Sequence, residues 1–140
     1  MKIQYVMLSL VLLLGSSFAS ADMVVIANPH VSFNSISQGQ LRRLFLGQTD
    51  NLPDGNHAVP LDVTGDYRNA FYQGVLNKNP EQVEKYWARM IFTGKAEPPR
   101  QVHPKEVKGL VAETPGAISY VDSSLVDSSV KVLTVTTDDQ

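Results

Sequence analysis

The run Val59–Asp66 (Val-Pro-Leu-Asp-Val-Thr-Gly-Asp) most constrains what this chain can fold into, because an apolar stretch of strand character empties through a short Gly turn straight into a helical repeat. Tyr67, Ala70, Phe71, Gly74 and Val75 recur at i, i+3, i+4, i+7 and i+8, which predicts an amphipathic helix lying with one face on a sheet. A strand feeding a helix in this way is an α/β junction, and it is a place where an anion can be held. The first N–H groups of a helix have no intrahelical partner, and that end carries roughly half a positive charge. Thr64 and Gly65 form the mouth of the junction, and Asp66 is a good N-cap.

The rest of the chain alternates between the two periods. Met23–Ala27 is a continuous Val- and Ile-rich run, as expected of a strand covered on both faces, and it ends at Asn28 and Pro29. Ser37 stands three residues before Gln40, a capping-box spacing, and Leu41, Leu44 and Phe45 follow at helical intervals until Gly47. Gln48–His57 reads as a loop, and Ala58–Leu61 as the second strand. Asn79, Pro80, Glu81 and Gln82 supply a cap, a first-turn Pro and an early acid for a helix carrying Val83, Tyr86, Trp87, Met90 and Ile91 and ending near Gly94. Lys95–Pro99 reads as an irregular linker. Pro104 opens a further helix with Val107, Leu110 and Val111 inside, and Ala117–Val121 and Val130–Val135 complete the strands. The tail, 136–140, is expected to be loose. The fold class is therefore α/β, with a mixed or mainly parallel sheet flanked by helices.

Residues 1–21 read as a secretion signal: Lys2, an apolar Val6–Leu14 core, and the small residues Ala19, Ser20 and Ala21. The apolar stretch is shorter than the ~20 residues of a spanning helix, so no stable membrane insertion is expected once the signal is removed. Residues 22–140 have the size of one domain. The absence of cysteine excludes disulfides, thiolate metal sites and a Cys nucleophile. With 12 basic and 14 acidic side chains in the full chain, nothing marks it for nucleic acid. His30, His57 and His103 lack the spacings of a metal motif, no nucleophile elbow is present, and neither a cofactor nor an enzymatic activity is expected.

Three segments carry a family resemblance. Gln40, Leu41, Phe45 and Gly47 are one. The strand, acid, small-residue loop and helix of Val59–Phe71 are the second. The third is Trp87 with Phe92, Thr93, Gly94 and Lys95, followed by Pro115, Gly116, Ala117, Ile118, Ser119, Tyr120 and Val121. In this order and spacing they resemble the periplasmic phosphate-binding proteins of ABC transporters, over nearly all of residues 22–140. The resemblance implies a single lobe of a type II periplasmic-binding-protein-like fold, where full-length members have two lobes closing over the ligand. It further implies that Thr64 and Gly65 line the oxyanion loop and that Asp62 matches the acid that accepts a hydrogen bond from a protonated phosphate. Asp66 stands where a hydroxyl residue would be expected, Pro60 or Val63 stands where an Arg is often found, and Arg68 is left as the nearby cation.

A carboxylate about 4 Å from a phosphate charge costs about 4 kcal/mol at an effective dielectric near 20, half of the ~8 kcal/mol behind micromolar binding. Asp66 therefore opposes an anion, unless the ligand is protonated or Arg68 offsets it. Two functions follow as expectations. One is a periplasmic, non-enzymatic domain that binds phosphate or a similar small oxyanion weakly through Asp62, Thr64, Gly65, Asp66 and Arg68, associated with phosphate transport. The other is an envelope interaction module that has lost the ligand and meets a protein partner or a second copy of itself through an apolar patch near the strand ends, with Lys95–Arg100 as its rim.

Overall fold

The computed structural model describes residues 23–137; the expected secretion signal lies outside the described residues. Six strands form one sheet: β1 (Met23–Ala27), β2 (Ser35–Ser37), β3 (Val59–Val63), β4 (Arg100–Val102), β5 (Ala117–Asp122) and β6 (Lys131–Thr136), in the order β2-β6-β1-β5-β3-β4. β2 pairs parallel with β6, and β3 pairs parallel with both β4 and β5. β1 runs antiparallel to its neighbours β5 and β6. Five strands thus point one way and β1 alone is reversed, the mixed, mainly parallel sheet that the alternating periods imply.

Helices α1 (Gln38–Phe45), α2 (Asp66–Phe71), α3 (Pro80–Phe92) and α4 (Pro104–Glu113) flank this sheet. The capping signals act as written. Ser37 Oγ accepts from the Gln40 N–H at 3.1 Å while Gln40 Oε1 accepts from the Ser37 N–H at 2.9 Å. Asn79 and Gln82 repeat the reciprocal pair at the start of α3, with Pro80 in the first turn.

Two short edge strands escape the sequence reading. β2 and β4 have three residues each, too few to show a period, and β4 begins at Arg100, directly after the segment read as linker. The second strand also runs on from Leu61 to Val63, and Thr136, the first residue of the tail expected to be loose, is paired opposite Ser37; residues 138–140 lie outside the described residues. After Phe71 the helix widens into a π-helical turn, Tyr72–Leu76. Of the expected stripe Phe71 and Val75 are buried as anticipated, Ala70 and Gly74 are exposed, and Tyr72 and Leu76 join the inward face instead. The core runs continuously from the sheet into all four helices, with Phe71 stacked on Tyr120 at 4.0 Å between ring centroids.

Two glycines of the resemblance segments are fixed by close approach. At Gly116 (φ +83°) a Cβ would lie 2.2 Å from the His57 carbonyl oxygen. At Gly47 (φ +70°) it would lie 2.9 Å from Ala96 Cβ and 3.3 Å from the Trp87 ring.

Candidate functional site

Because five strands are co-directional, their carboxyl ends gather at one end of the sheet, the usual position of a ligand crevice in such folds. Four helical starts collect there. Those at Ser37, His103 and Asp122 are closed by their own side chains, which accept from Gln40, Lys105 and Ser124 amides respectively. The fourth, at Gly65, carries no side-chain cap. Gly65 has φ +109° and ψ −166°, a conformation essentially reserved for glycine. Thr64, Gly65 and Asp66 are all exposed. Asp66 is the first helical residue and does not cap the helix, a correction to the sequence expectation: the backbone turns at Gly65, one residue earlier. The would-be Cβ of Gly65 comes within 3.9 Å of Pro104 Cγ, so α2 and α4 begin side by side, a neighbour the sequence signals only through the Pro at the start of α4.

Asp62 takes a different position from the loop. It is 1% exposed, and both carboxylate oxygens are engaged by the protein. Oδ1 accepts from the Val63 N–H at 3.1 Å and from the Tyr120 hydroxyl in a very short bond. Oδ2 accepts from Arg68 Nε at 2.9 Å and from the Tyr72 hydroxyl at 2.6 Å. Burial, followed by the charge and hydrogen bond of Asp62, pushes both phenols far above the ordinary tyrosine range. Burial works against the charged form of Arg68, but the hydrogen bond and charge of Asp62 outweigh it and raise its pKa. The guanidinium also lies over the Tyr72 ring, 4.6 Å from its centroid.

The five predicted residues therefore divide. Thr64, Gly65 and Asp66 form the open mouth, while Asp62 lies beneath it and fixes Arg68. Arg68 also walls a cleft of about 560 Å³ between α3 and β4, bordered by Trp87, Pro98 and Gln101. Tyr72 and Tyr120 are the missed members of this cluster: Tyr120 falls within an apolar strand and Tyr72 lies off the expected helical stripe, so neither position signals a hydroxyl that reaches a buried acid. At the opposite end of the sheet the fold brings His30 and His57 onto one cleft of about 440 Å³.

Three solved structures that superpose on this chain are described as phosphate-transport proteins. A protein from Clostridium perfringens described as a phosphate ABC transporter substrate-binding protein, solved with bound phosphate, superposes with a TM-score of 0.61 at 18% identity over 81% of this chain and 44% of its own. An ABC-type phosphate transport receptor from Vibrio cholerae gives 0.63 at 15% identity, covering 81% and 45%. PstS from Borrelia burgdorferi gives 0.61 at 15%, covering 84% and 49%. The chain shares its fold with part of each of these structures. The chain spans a little under half the length of the structures it matches. No protein-family profile matches it. Among the described residues, no helix of the lobe is long and apolar enough to cross a membrane.

Proposed function

We propose that this chain is a non-enzymatic, periplasmic binding lobe that holds phosphate or a similar small oxyanion weakly at the β3–α2 junction, in association with phosphate transport. The observation that carries the reading is the uncapped start at Gly65, exposed beside three starts closed by side chains. Thr64 offers a hydroxyl, the junction offers backbone, and Arg68 offers a charge whose position Asp62 sets. Asp62 acts here as a positioning residue, since its own oxygens are engaged. The affinity is low for two reasons: Asp66 opposes an anion, and a ligand held on one open face keeps much of its hydration where tight sites bury most of the ligand. Millimolar binding, ~4 kcal/mol, fits such a site. Calorimetric titration of the purified protein with phosphate and with sulfate at low ionic strength tests this. Heat with phosphate that is lost in Thr64→Val and Arg68→Ala supports it, and no heat with either anion refutes it.

A second reading rests on a specific observation. Phe92 is 90% exposed and Ile91 54%, side by side at the end of α3 next to the 560 Å³ cleft. Such an apolar patch favours an envelope interaction module. A reproducible protein partner in periplasmic cross-linking, unaffected by Arg68→Ala, favours this reading over solute capture.

A further inference from the structure

The cleft between α3 and β4 is not used by the β3–α2 junction. Along α3, Glu84, Trp87, Ala88 and Ile91 fall at i, i+3, i+4 and i+7, so one face of the helix walls it, and Pro98 and Gln101 border it from the other chain segment. Its volume, about 560 Å³, suits an organic molecule rather than a bare ion. Three polar groups on this cleft lack partners. Arg68 spends Nε on Asp62 at 2.9 Å, which leaves its terminal nitrogens without a hydrogen bond to a carboxylate among the described residues. Glu84 is exposed and forms no ion pair among the described residues, so it and Arg68 stand too far apart to pair with each other. The indole N–H of Trp87, in a residue only 6% exposed, is buried without an acceptor among the described residues. The bases of α3 do not neutralise the acid: Lys85 meets Glu81 at 3.9 Å, Arg89 lies over the Tyr86 ring, and neither borders the cleft.

We propose that this cleft binds a short apolar peptide in its zwitterionic form, a dipeptide being the smallest that fits the pattern. Its carboxylate meets the terminal nitrogens of Arg68, its ammonium meets Glu84, and its side chains lie against Trp87, Ile91 and Pro98. The charges select this class. A simple anion is opposed by Glu81 and Glu84, a simple cation by Arg68, and an uncharged apolar body leaves both signs desolvated and unmatched. A planar guanidinium takes a carboxylate through two parallel hydrogen bonds, and here the plane is already held by Asp62 on one edge and the Tyr72 ring beneath it. A peptide also brings carbonyl oxygens, acceptors of the kind that the Trp87 N–H lacks.

This inference is independent of anion capture at Gly65, except that both draw on Arg68. Calorimetric titration of the purified protein with leucyl-leucine, followed in parallel by Trp87 fluorescence, tests it. Saturable binding is expected, weakened ~10-fold or more for the N-acetylated and for the C-amidated dipeptide, since each loses one hydrogen bond between charged groups. Glu84→Gln weakens leucyl-leucine by a similar factor and leaves the N-acetylated form unchanged, a selectivity that a misfolded variant does not show. Ala88→Trp, at an exposed position on the cleft wall, abolishes dipeptide binding and leaves the phosphate titration as it was, whereas Thr64→Val does the reverse. The absence of saturable binding overturns the proposal, as does equal affinity for the capped dipeptides or a Glu84→Gln effect of the same size on the free and the acetylated forms. A failure to bind phosphate with the dipeptide still bound refutes the oxyanion reading alone.

Discussion

Replacing Asp62 by Ala removes one acceptor from four donors, and the surroundings decide the cost. The Val63 N–H retains the Tyr120 hydroxyl oxygen at 3.2 Å, and the Tyr120 hydroxyl has the Val63 carbonyl at 3.4 Å as a poorer acceptor. The Tyr72 hydroxyl, in a residue 2% exposed, donates only to Asp62 among its described hydrogen bonds. Leaving it unpaired costs ~1–3 kcal/mol. Arg68, with its side chain 28% exposed, loses its partner but reaches water, so its share is discounted to roughly 1 kcal/mol. Adding the weakened Tyr120 bond gives a loss of about 3–5 kcal/mol, the range for breaking a buried pair and a large part of a typical domain's stability. Urea unfolding followed by the fluorescence of Trp87, the one tryptophan, measures it. Tyr72→Phe provides the internal check: it is costly in the natural background and close to neutral once Asp62 is already Ala, a coupling of at least ~1 kcal/mol. A loss below ~1 kcal/mol for Asp62→Ala, or strict additivity with Tyr72→Phe, would refute the view that this carboxylate organises the cluster.

Gly116→Ala forces a Cβ against the His57 carbonyl oxygen and is expected to cost more than ~3 kcal/mol, whereas Gly109→Ala, in α4 with open space around its would-be Cβ, is expected to stabilise by ~0.5–1 kcal/mol; thermal melts of both variants compare them directly. Tyr72 and Tyr120 have folded pKa values raised above the unfolded value near ~10, so the stability they contribute is fully present below that pH and falls as pH rises beyond it, by ~1.4 kcal/mol per pH unit for each phenol. Phenolate absorbance from these two residues is therefore expected to appear together with loss of the native Trp87 signal, and full tyrosine titration with the native signal intact would count against it.

The elements with long, capped periods were legible in the sequence. Asn79 to Gln82 announces α3 because a cap, a first-turn Pro and a reciprocal Gln act within four neighbouring residues, and Met23–Ala27 announces a buried strand because each of its residues is apolar. What escaped depends on partners distant in sequence. β4 exists because β3 lies beside it, with Leu61 opposite Arg100, and three residues carry no period of their own. The π-helical turn at Tyr72 likewise has no local marker, yet it brings the Tyr72 hydroxyl to Asp62. The candidate site was legible as a place and less so as a constellation. Thr64 and Gly65 stand at the open strand end as the strand-turn-helix pattern implies, whereas the burial of Asp62 depends on Tyr120, 58 positions away.

The residues that carry the family resemblance explain why fold is more legible here than ligand. Gly47 is glycine because Trp87 and Ala96 press against it, and the Tyr86 hydroxyl donates to the Leu46 carbonyl at 2.6 Å, so the first segment and the Trp-bearing segment of the resemblance are two sides of one contact. Gly116 is glycine because the His57 carbonyl occupies the space of a side chain, and its own carbonyl then accepts from the Val59 N–H at 2.9 Å, setting the first rung between β5 and β3. These constraints belong to packing and persist whether or not an anion ever reaches Gly65. The side chains of Thr64 and Asp66 are under no such constraint, since both face solvent, whereas Gly65 is fixed only by its own backbone conformation at φ +109°. A lobe of this kind is therefore free to lose its ligand while keeping its architecture. The two functions proposed here are consequently separable by experiment: substitutions at Thr64 bear on the anion alone, and substitutions at Phe92 on association alone.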